Sequence, residues 1–443
     1  MKKRWFLAAF VILIAAGVRH SLAELPPLIP REVLFGNPER TNPQISPDGK
    51  FLTYLAPDKE NRLQIWMRRF AKVDDRQLTS EKQHGVQHYT WTYDGEHLIF
   101  ALDTNGDENW HIYALNINSG AVRNLTPFKG VQAYVVAMEP SFPEQILVAT
   151  NLRNRHFHEV YRINIKTGEI FLDTRNTGRQ VWWVTDSRFT VRAAVVPAAW
   201  LIREAGGSRW RVVYKAQVGE QGALFGLSED EKSMYIRALS SDDTSALLAV
   251  DIESGKEAVL AADANYDLEN IFLHPSTRAI QAAAFYKERL EWRVLDPGVA
   301  DDFAALARVR PGEFNVIHSF GSPVLWSSTL GRRDLADKIW IVSYVTDDGP
   351  IYHYAYERAS KTATLLFSER PKLEGLPLAR MRPISYQVRD GLTVHGYLTL
   401  PVAFLPRTLR RSFWFMVVRG RGTNGVTARP SNGLPTAAMP CFR

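Results

Sequence analysis

The residues that could carry nucleophilic or acid–base chemistry in this chain are few and scattered. A serine nucleophile of the hydrolase type sits on a strand-to-helix turn of the form G-x-S-x-G, and this pattern occurs nowhere in the 443 residues. Ser322 in FGSPV lacks the second glycine, and Ser431 in RPSNG lies near the carboxyl terminus in an irregular tail. Neither a G-x-x-x-x-G-K loop nor an H-E-x-x-H helix is present. The sequence therefore predicts no catalytic residue and no cofactor-binding residue.

Two pairs of histidines have spacings that metal sites use. His84 and His88 are four residues apart, but Gly85 between them and the polar surroundings favour a loop over a helix. His156 and His158 would lie on one face of a strand, which is a spacing that can hold a metal ion. Because no third ligand is near, we interpret this pair as a solvated strand face and predict no metal site.

Residues 1–23 have the three parts of a secretory signal peptide. A head of two lysines and an arginine is followed by an apolar run that ends at Val18, which is too short to span a bilayer comfortably. A small-x-small cleavage site ends at Ala23. Cleavage and export are expected, with the bacterial periplasm as the destination and no membrane association afterwards; an uncleaved membrane anchor is the alternative.

The excess of positive charge lies at the two ends of the chain. The formal net charge is +7, but four basic residues fall in 1–23 and seven arginines in 405–443, with no acidic residue in either segment. Residues 24–404 therefore carry about −4. Nucleic-acid binding would need a positive face on the folded part, so no nucleic-acid partner is expected. The single cysteine, Cys441, leaves the body without a disulfide or a thiolate site.

The body of the chain contains a repeat and shows no linker. Turn centres recur at steps of 46, 50, 42, 44 and 46 residues, at Asp48, Asp94, Glu144, Asp186, Asp230 and Ser276. A second mark follows several of them: an apolar strand that ends in a turn of the form NINSG, NIKTG or DIESG. A period in the forties with several short strands in each unit predicts a β-propeller, in which neighbouring blades stack to bury their apolar faces.

The second repeat shows the predicted construction of a blade. Its four strands are YTWTY, HLIFALD, NWHIYALNI and AVRNLTPF, with turns between them. Large aromatic side chains should fill the space between blades, and this role is predicted for Trp66, Trp91, Trp110, Trp182 and Trp183. Six turn centres, with Phe314–Ser368 as a further unit, predict an all-β fold with seven blades. Eight blades are the alternative, because the spacing is irregular around 290–330.

The segment Ile384–Pro401, ISYQVRDGLTVHGYLTLP, reads as two alternating strands around an Asp-Gly turn. It resembles the start of the hydrolase domain of the prolyl oligopeptidase family of serine peptidases. The beginning of the body, LIPREVLFGNPERTNPQISPDGK, and the segment NGDENWHIYALN resemble the propeller of bacterial members of that family. The resemblance covers roughly residues 28–401 and is most specific at its two ends.

This resemblance implies a propeller that covers an active site and limits access to short peptides. It also implies that the serine, aspartate and histidine of the peptidase lie downstream of the hairpin, so that no catalytic residue carries over to this chain. In related dipeptidyl peptidases, carboxylates of the propeller bind the amino end of the substrate. Asp107 and Glu108 form such an acidic pair here but on a different segment, and a solvated turn is the preferred interpretation.

The last 39 residues have the composition of a coding sequence that is read out of frame. They contain seven arginines, no lysine and no acidic residue. Back-translation shifted by one nucleotide allows LVLVHGGPW from Arg411 onward, which resembles the strand and the His-Gly-Gly loop of the same family. A natural, unstructured basic tail is the alternative.

The predicted organisation is a signal peptide at 1–23, a propeller at 24–375, the start of an α/β-hydrolase domain at 376–404 and an out-of-frame tail at 405–443. The predicted function is that of the substrate-gating part of a secreted peptidase, inactive by itself. A free-standing periplasmic binding or scaffolding module is the alternative.

Overall fold

The structure is a computed structural model that describes residues 28–399, apart from 105, 179, 218–221, 240–243, 318–330, 388, 390 and 392, and the backbone of Met416–Arg419. Seven consecutive antiparallel sheets form a ring of blades, and the strands of each sheet pair in chain order. The predicted seven-bladed, all-β propeller is therefore confirmed.

Blades 1 to 4 have four strands each. Their strands are Thr41–Ile45 (β1), Phe51–Pro57 (β2), Leu63–Arg69 (β3), Arg76–Gln77 (β4), Tyr89–Trp91 (β5), His97–Leu102 (β6), His111–Asn116 (β7), Val122–Asn124 (β8), Ala133–Met138 (β9), Gln145–Asn154 (β10), Phe157–Asn164 (β11), Ile170–Thr174 (β12), Trp182–Thr185 (β13), Val191–Val196 (β14), Ala199–Arg203 (β15) and Trp210–Lys215 (β16).

Blade 6 has three strands, whereas blades 5 and 7 have four. The strands are Ala223–Leu227 (β17), Ser233–Leu239 (β18), Ser245–Asp251 (β19), Glu257–Ala261 (β20), Leu268–Leu273 (β21), Ile280–Tyr286 (β22), Leu290–Val294 (β23), Glu313–Asn315 (β24), Ile339–Val345 (β25), Tyr352–Glu357 (β26) and Thr362–Ser368 (β27). Two short α-helices, Arg31–Phe35 (α1) and Ala300–Leu306 (α2), and the 3₁₀ turns Pro297–Val299 and Pro371–Leu373 complete the propeller. None of the helices in the described ranges is long and apolar enough to cross a bilayer.

The repeated turns connect the first and second strands of the blades, as their spacing predicted. In blade 1, Ser46 Oγ donates to Asp48 Oδ1 at 2.7 Å, and the same carboxylate oxygen accepts the Lys50 amide. In blade 5, Ser228 and Asp230 repeat this arrangement at 2.7 Å. A short hydroxyl or carboxylate side chain that bonds the backbone two residues ahead stabilises a tight turn, which explains why the residue types recur.

Large side chains fill the spaces between blades. Trp91 and Trp183 are fully buried in two of these layers, as predicted. Trp66 and Trp110 are partly buried at the margins of such layers. Trp182 is also only partly buried, and it contacts the neighbouring blade by stacking on Tyr134 of blade 3. Its position at the start of β13 places it at an end of the blade, where the layer between blades is open.

The irregular spacing around 290–330 has two structural causes. After β23, blade 6 continues into α2, whose Phe303 and Leu306 are buried in the layer between blades 6 and 7. In blade 7 the inner strand is in two pieces, because both β24 and Arg333 pair with β25. A seventh turn follows, in which Asp334 Oδ1 accepts the amide of Ile339 at 2.7 Å.

The ring closes without a shared strand. Among the described strands, blade 1 takes all of its strands from 41–77 and blade 7 all of its strands from 313–368. The junction between these two blades, called the seam below, contains backbone hydrogen bonds from Ile45 to Gly331 at 2.7 Å and from Leu335 to Pro47 at 2.8 Å. Side-chain packing and hydrogen bonds alone therefore hold the first blade to the last.

The predicted hairpin is present as Met381–Gln387 (β28) and Thr393–Thr399 (β29), with Ile384 opposite Gly396. The backbone of Met416–Arg419 (β30) adds a third strand beside β29. These four residues lie within the segment interpreted above as an out-of-frame tail. The domain boundaries and the out-of-frame origin of the tail stay predictions.

Candidate functional site: the propeller face under the hairpin

The strand order gives the propeller two distinct faces. Turns between first and second strands, and between third and fourth strands, lie at one end of each antiparallel sheet, here called the turn face. Connections between second and third strands, and the connections from one blade to the next, lie at the opposite end. Met381, His395 and Tyr397 of the hairpin contact connections of this second kind, so we call that end the hairpin face.

The hairpin is held over blades 6 and 7. The Tyr397 hydroxyl donates to the carbonyl oxygen of Glu288 in the β22–β23 turn at 2.5 Å. The Met381 amide donates to Asp347 Oδ2 in the β25–β26 connection at 2.7 Å. The His395 ring lies 5.7 Å from that of Tyr266, which precedes blade 6. These contacts fix the direction in which the chain leaves the propeller.

An aromatic group lies at the hairpin face of blades 3 and 4. The rings of Tyr134 and Trp182 are parallel within 4°, with centroids 5.8 Å apart, and the His158 ring lies 5.4 Å from Tyr134. The Tyr134 hydroxyl donates to the Val181 carbonyl oxygen at 3.4 Å. Burial raises the pKa of Tyr134 and lowers that of His158, so both rings are neutral at pH 7. This arrangement offers a flat, uncharged surface that suits an apolar side chain.

The predicted histidine pairs do not form metal sites. His84 and His88 lie in the loop from blade 1 to blade 2, as predicted. His156 occupies an exposed turn and His158 lies at the beginning of β11. The prediction that the two residues share one strand face is therefore wrong. The turn between β10 and β11 contains His156, so only His158 of the pair lies on a strand.

Over the ranges that the structure describes, one group of three side chains has metal-binding spacing: Asp94, Glu96 and His97 at the turn face. Its donor atoms already have partners. Asp94 accepts the Thr92 hydroxyl at 2.6 Å and faces His97 Nδ1 at 2.6 Å. Although burial raises the pKa of Asp94, the hydrogen bonds from His97 and Thr92 bring it below its ordinary value. The group therefore stabilises the repeated turn.

Asp107 and Glu108 occupy an exposed turn at the hairpin face, in agreement with the preferred interpretation. Asp107 accepts hydrogen bonds from the Asn109 amide at 3.0 Å, the Asn109 side chain at 3.1 Å and the Thr104 amide at 3.2 Å. These bonds, with the Asn109 side chain first, lower the pKa of Asp107. Its carboxylate thus serves the turn.

Ser322, Ser431 and Cys441 lie outside the described residues. The structure does contain a serine, a histidine and a glutamate in hydrogen-bonded order, within blade 7. Ser343 Oγ lies 2.8 Å from His353 Nδ1, and His353 Nε2 lies 3.0 Å from Glu369 Oε1. Ser343 is only 7% exposed and also accepts a hydrogen bond from Arg332, so its oxygen is neither accessible nor free to attack a carbonyl. This chain of bonds could not be predicted from sequence patterns, because its members lie on three separate strands or strand ends.

An ion pair crosses the ring axis at the turn face. Arg278 of blade 6 pairs with Glu139 of blade 3 and donates to the Thr185 carbonyl oxygen of blade 4 at 3.1 Å. Blades 3 and 6 lie on opposite sides of a seven-membered ring, so this pair spans the axis. Burial raises the pKa of Glu139 despite Arg278 beside it. A cavity of about 230 Å³ beside the pair is lined mainly by polar side chains: Glu139, Ser187, Leu227, Ser228, Glu229, Glu231, Ser276, Thr277 and Arg278.

Comparison with known proteins agrees with this architecture. The chain is 33% identical over 384 residues to dipeptidyl aminopeptidase BIII of Pseudoxanthomonas mexicana, which covers 84% of this chain and 53% of that protein. It is 26% identical over 396 residues to dipeptidyl peptidase family member 6 of Caenorhabditis elegans, covering 84% of this chain and 52% of that protein. The chain thus spans about half the length of the curated relatives it matches.

A solved structure from a study of two prolyl endopeptidases has the same fold, with a TM-score of 0.59 and 14% identity over 88% of this chain and 59% of that one. No family model matches the chain. The seven blades, the hairpin that follows them and the sequence relatives agree: the chain corresponds to the propeller portion of peptidases of the prolyl oligopeptidase family.

Proposed function

We propose that this propeller is the substrate-gating part of a secreted serine peptidase that acts on short peptides. The observation that carries the proposal is the docking of β28 and β29 on the hairpin face through Tyr397 and Met381. A domain that continues from β29 would be held over this face and would enclose a space between itself and the blades. The names of the two sequence relatives, both dipeptidyl peptidases, support peptides as the substrate class.

The difference between the two faces supports entry of the peptide from the hairpin face. At the turn face, the pair of Arg278 and Glu139 spans the axis. At the hairpin face, Tyr134 and Trp182 present an uncharged aromatic surface near the ends of two inner strands. A peptide would reach this surface from the space under the hairpin, and the surrounding ring would exclude a folded protein.

By itself, the 443-residue chain should not hydrolyse peptides, because its sequence contains no G-x-S-x-G nucleophile turn. The test is incubation of the purified chain with a panel of dipeptidyl nitroanilides, with and without a serine-directed fluorophosphonate. We expect no nitroaniline release above the buffer rate. Hydrolysis that the fluorophosphonate abolishes would contradict the proposed division of labour.

Peptide binding can be measured without catalysis. Fluorescence anisotropy of a labelled apolar tetrapeptide should show saturable binding to the chain. Trp182→Leu should weaken this binding by about fivefold or more, because one aromatic contact contributes about 1 kcal/mol. Trp210→Leu is the matched control, since Trp210 is also half-buried in blade 4 but lies on the outer strand β16. Equal affinities of the two variants would rule out the aromatic surface as the peptide site.

A free-standing binding or scaffolding module is the second candidate. One observation favours it: the seven described sheets lie within 41–368 and pack against one another, so the propeller core needs no further domain. This function predicts a long-lived protein that co-purifies from the periplasm with one partner in constant ratio. Rapid degradation of the chain in cells, with no such partner, would argue against it.

A further inference from the structure

A row of polar side chains crosses the seam between blades 7 and 1. Arg332 Nη1 donates to Ser343 Oγ at 3.0 Å, Ser343 Oγ lies 2.8 Å from His353 Nδ1, and His353 Nε2 lies 3.0 Å from Glu369 Oε1. On the blade 1 side, the Thr41 hydroxyl donates to the same glutamate oxygen at 2.5 Å. We call this row the seam ladder.

The protons of the seam ladder have one consistent arrangement. Arg332 can only donate, so Ser343 Oγ accepts from it and gives its own proton to His353 Nδ1. His353 Nε2 then carries the ring proton and donates it to Glu369. Every polar hydrogen between these groups therefore has an acceptor, provided that His353 is neutral.

Protonation of His353 breaks this order. With a hydrogen on Nδ1, the imidazolium and the Ser343 hydroxyl would both direct a proton toward the same contact. The hydroxyl must rotate away, and no second acceptor for it lies within the ladder. A buried hydroxyl or ring without an acceptor costs roughly 1–3 kcal/mol.

Charge opposes the protonation as well. Arg332 is 7% exposed and, over the parts of the chain that the structure describes, it has no carboxylate within ion-pair distance. Burial lowers its pKa to about 10. Burial also lowers the pKa of His353, and Arg332 acts in the same direction, whereas Glu369 opposes them. Other groups that face the row are the Phe367 ring on His353, Arg370 near Glu369, and Tyr89 near Arg332.

Besides the ladder, the seam has the backbone hydrogen bonds described above, and Leu34 before blade 1 packs on Leu373 and Leu378 after blade 7. The apolar contacts between the two blades form two small clusters, with four buried side chains around Ile45 and Ile341 and three around Tyr54 and Phe367. The layer between blades 6 and 7 holds thirteen. The layer around Leu247 and Phe285, between blades 5 and 6, holds six, but these blades are also joined by the chain itself.

We propose that the seam is an acid-sensitive latch: protonation of His353 releases blade 1 from blade 7, and the ring opens at this junction before any other. This latch would act whether or not the chain binds or hydrolyses peptides. Because the closed seam binds fewer protons than the open one, closure is most stable above the ordinary pKa of 6.5 and weakens as the pH falls below it. Glu369, with its lowered pKa, stays ionised at pH 5 and does not contribute in this range.

Hydrogen exchange of the full chain tests the latch. Peptides from 41–57 and 339–357 report on the seam, and a peptide from 191–203 in blade 4 is the reference; rates are corrected for the intrinsic effect of pH. If protonation is excluded in the closed state and unhindered in the open one, the opening equilibrium rises by up to about 30-fold between pH 7.5 and pH 5.0. The reference peptide should keep its protection.

His353→Gln should abolish the acid response of the seam. His158→Gln is the matched control, because His158 is also a histidine whose pKa burial lowers, but it belongs to blade 3, and its variant should retain the seam response. Ser343→Ala removes the hydroxyl between Arg332 and His353 and should loosen the seam already at pH 7.5. If His353→Gln does not fold, the latch is still tested by the exchange of the wild-type chain at the two pH values and by the exchange of Ser343→Ala at pH 7.5. Equal seam protection at the two pH values, or loss that is equal in all blades, would overturn the proposal.

Discussion

Replacement of Gly85 by alanine should destabilise the propeller far more than an ordinary loop substitution. Gly85 lies in the connection from blade 1 to blade 2 with φ of +72°. A Cβ there would lie 2.5 Å from the carbonyl oxygen of Leu63 and 2.8 Å from its amide nitrogen. Both are backbone atoms of β3, and the oxygen accepts the Val86 amide at 2.7 Å, so neither can move without disturbing the sheet. A left-handed alanine costs about 1 kcal/mol and overpacking about 1–3 kcal/mol more.

Gly95→Ala provides the control for the backbone term. Gly95 has φ of +68° in the repeated turn of blade 2, and its Cβ would meet nothing within 4 Å. This variant should lose about 1 kcal/mol, whereas Gly85→Ala should lose about 2–4 kcal/mol. Urea unfolding followed by tryptophan fluorescence measures both midpoints. If the two variants unfold at the same urea concentration, the connection does not pack on β3 as described and the steric argument fails.

Three further outcomes are expected. Asp302→Asn removes a buried negative charge and leaves a single acceptor oxygen for Arg358 and Tyr356, which bond separate oxygens of the carboxylate. It should cost about 2–4 kcal/mol in urea unfolding, below the full value for a buried pair because the arginine is partly exposed. Glu357→Gln, on the surface of the blade that carries Arg358, should change stability by no more than about 0.5 kcal/mol, and equal losses would contradict this role. Trp91→Ala should cost about 3–5 kcal/mol in thermal unfolding, because the side chain is fully buried; a smaller loss would place it outside the core. Mass spectrometry of the exported protein should find an amino terminus just after Ala23, and an intact signal segment would favour the membrane anchor.

The parts of the fold that the sequence predicted depend on local chemistry. The turn at Ser46 and Asp48 forms through bonds that reach no more than five residues, so its residue types are visible in the sequence and their period counts the blades. The seventh turn, at Asp334, uses the same bond between the aspartate side chain and a following amide. It lacks the Ser/Thr-x-Asp-Gly pattern of the turns at Asp48 and Asp94. It could have been found by searching for an aspartate four or five residues before a strand.

The contacts between distant blades could not be predicted in this way. Glu139 and Arg278 lie 139 residues apart, and nothing local to either residue indicates the other. Thr41 and Glu369 are 328 residues apart and meet only because the ring closes with seven members. The helix α2 was missed because seven residues are too few to establish a helical period against the surrounding strands.

These long-range polar contacts contribute to the fold in a different way from the apolar layers between blades. The layers between blades are built from aliphatic and aromatic side chains, whose apolar contacts are not directional and discriminate poorly between one neighbour and another. A buried charge is costly unless its partner is in place, so a pair such as Arg278 and Glu139 penalises any ring in which blades 3 and 6 are not opposite each other. At the seam, the same requirement falls on His353 and Glu369, which must find Thr41 of the first blade. Apolar burial therefore stabilises the blades, whereas these polar contacts favour the ring in which blade 3 faces blade 6 and blade 7 meets blade 1.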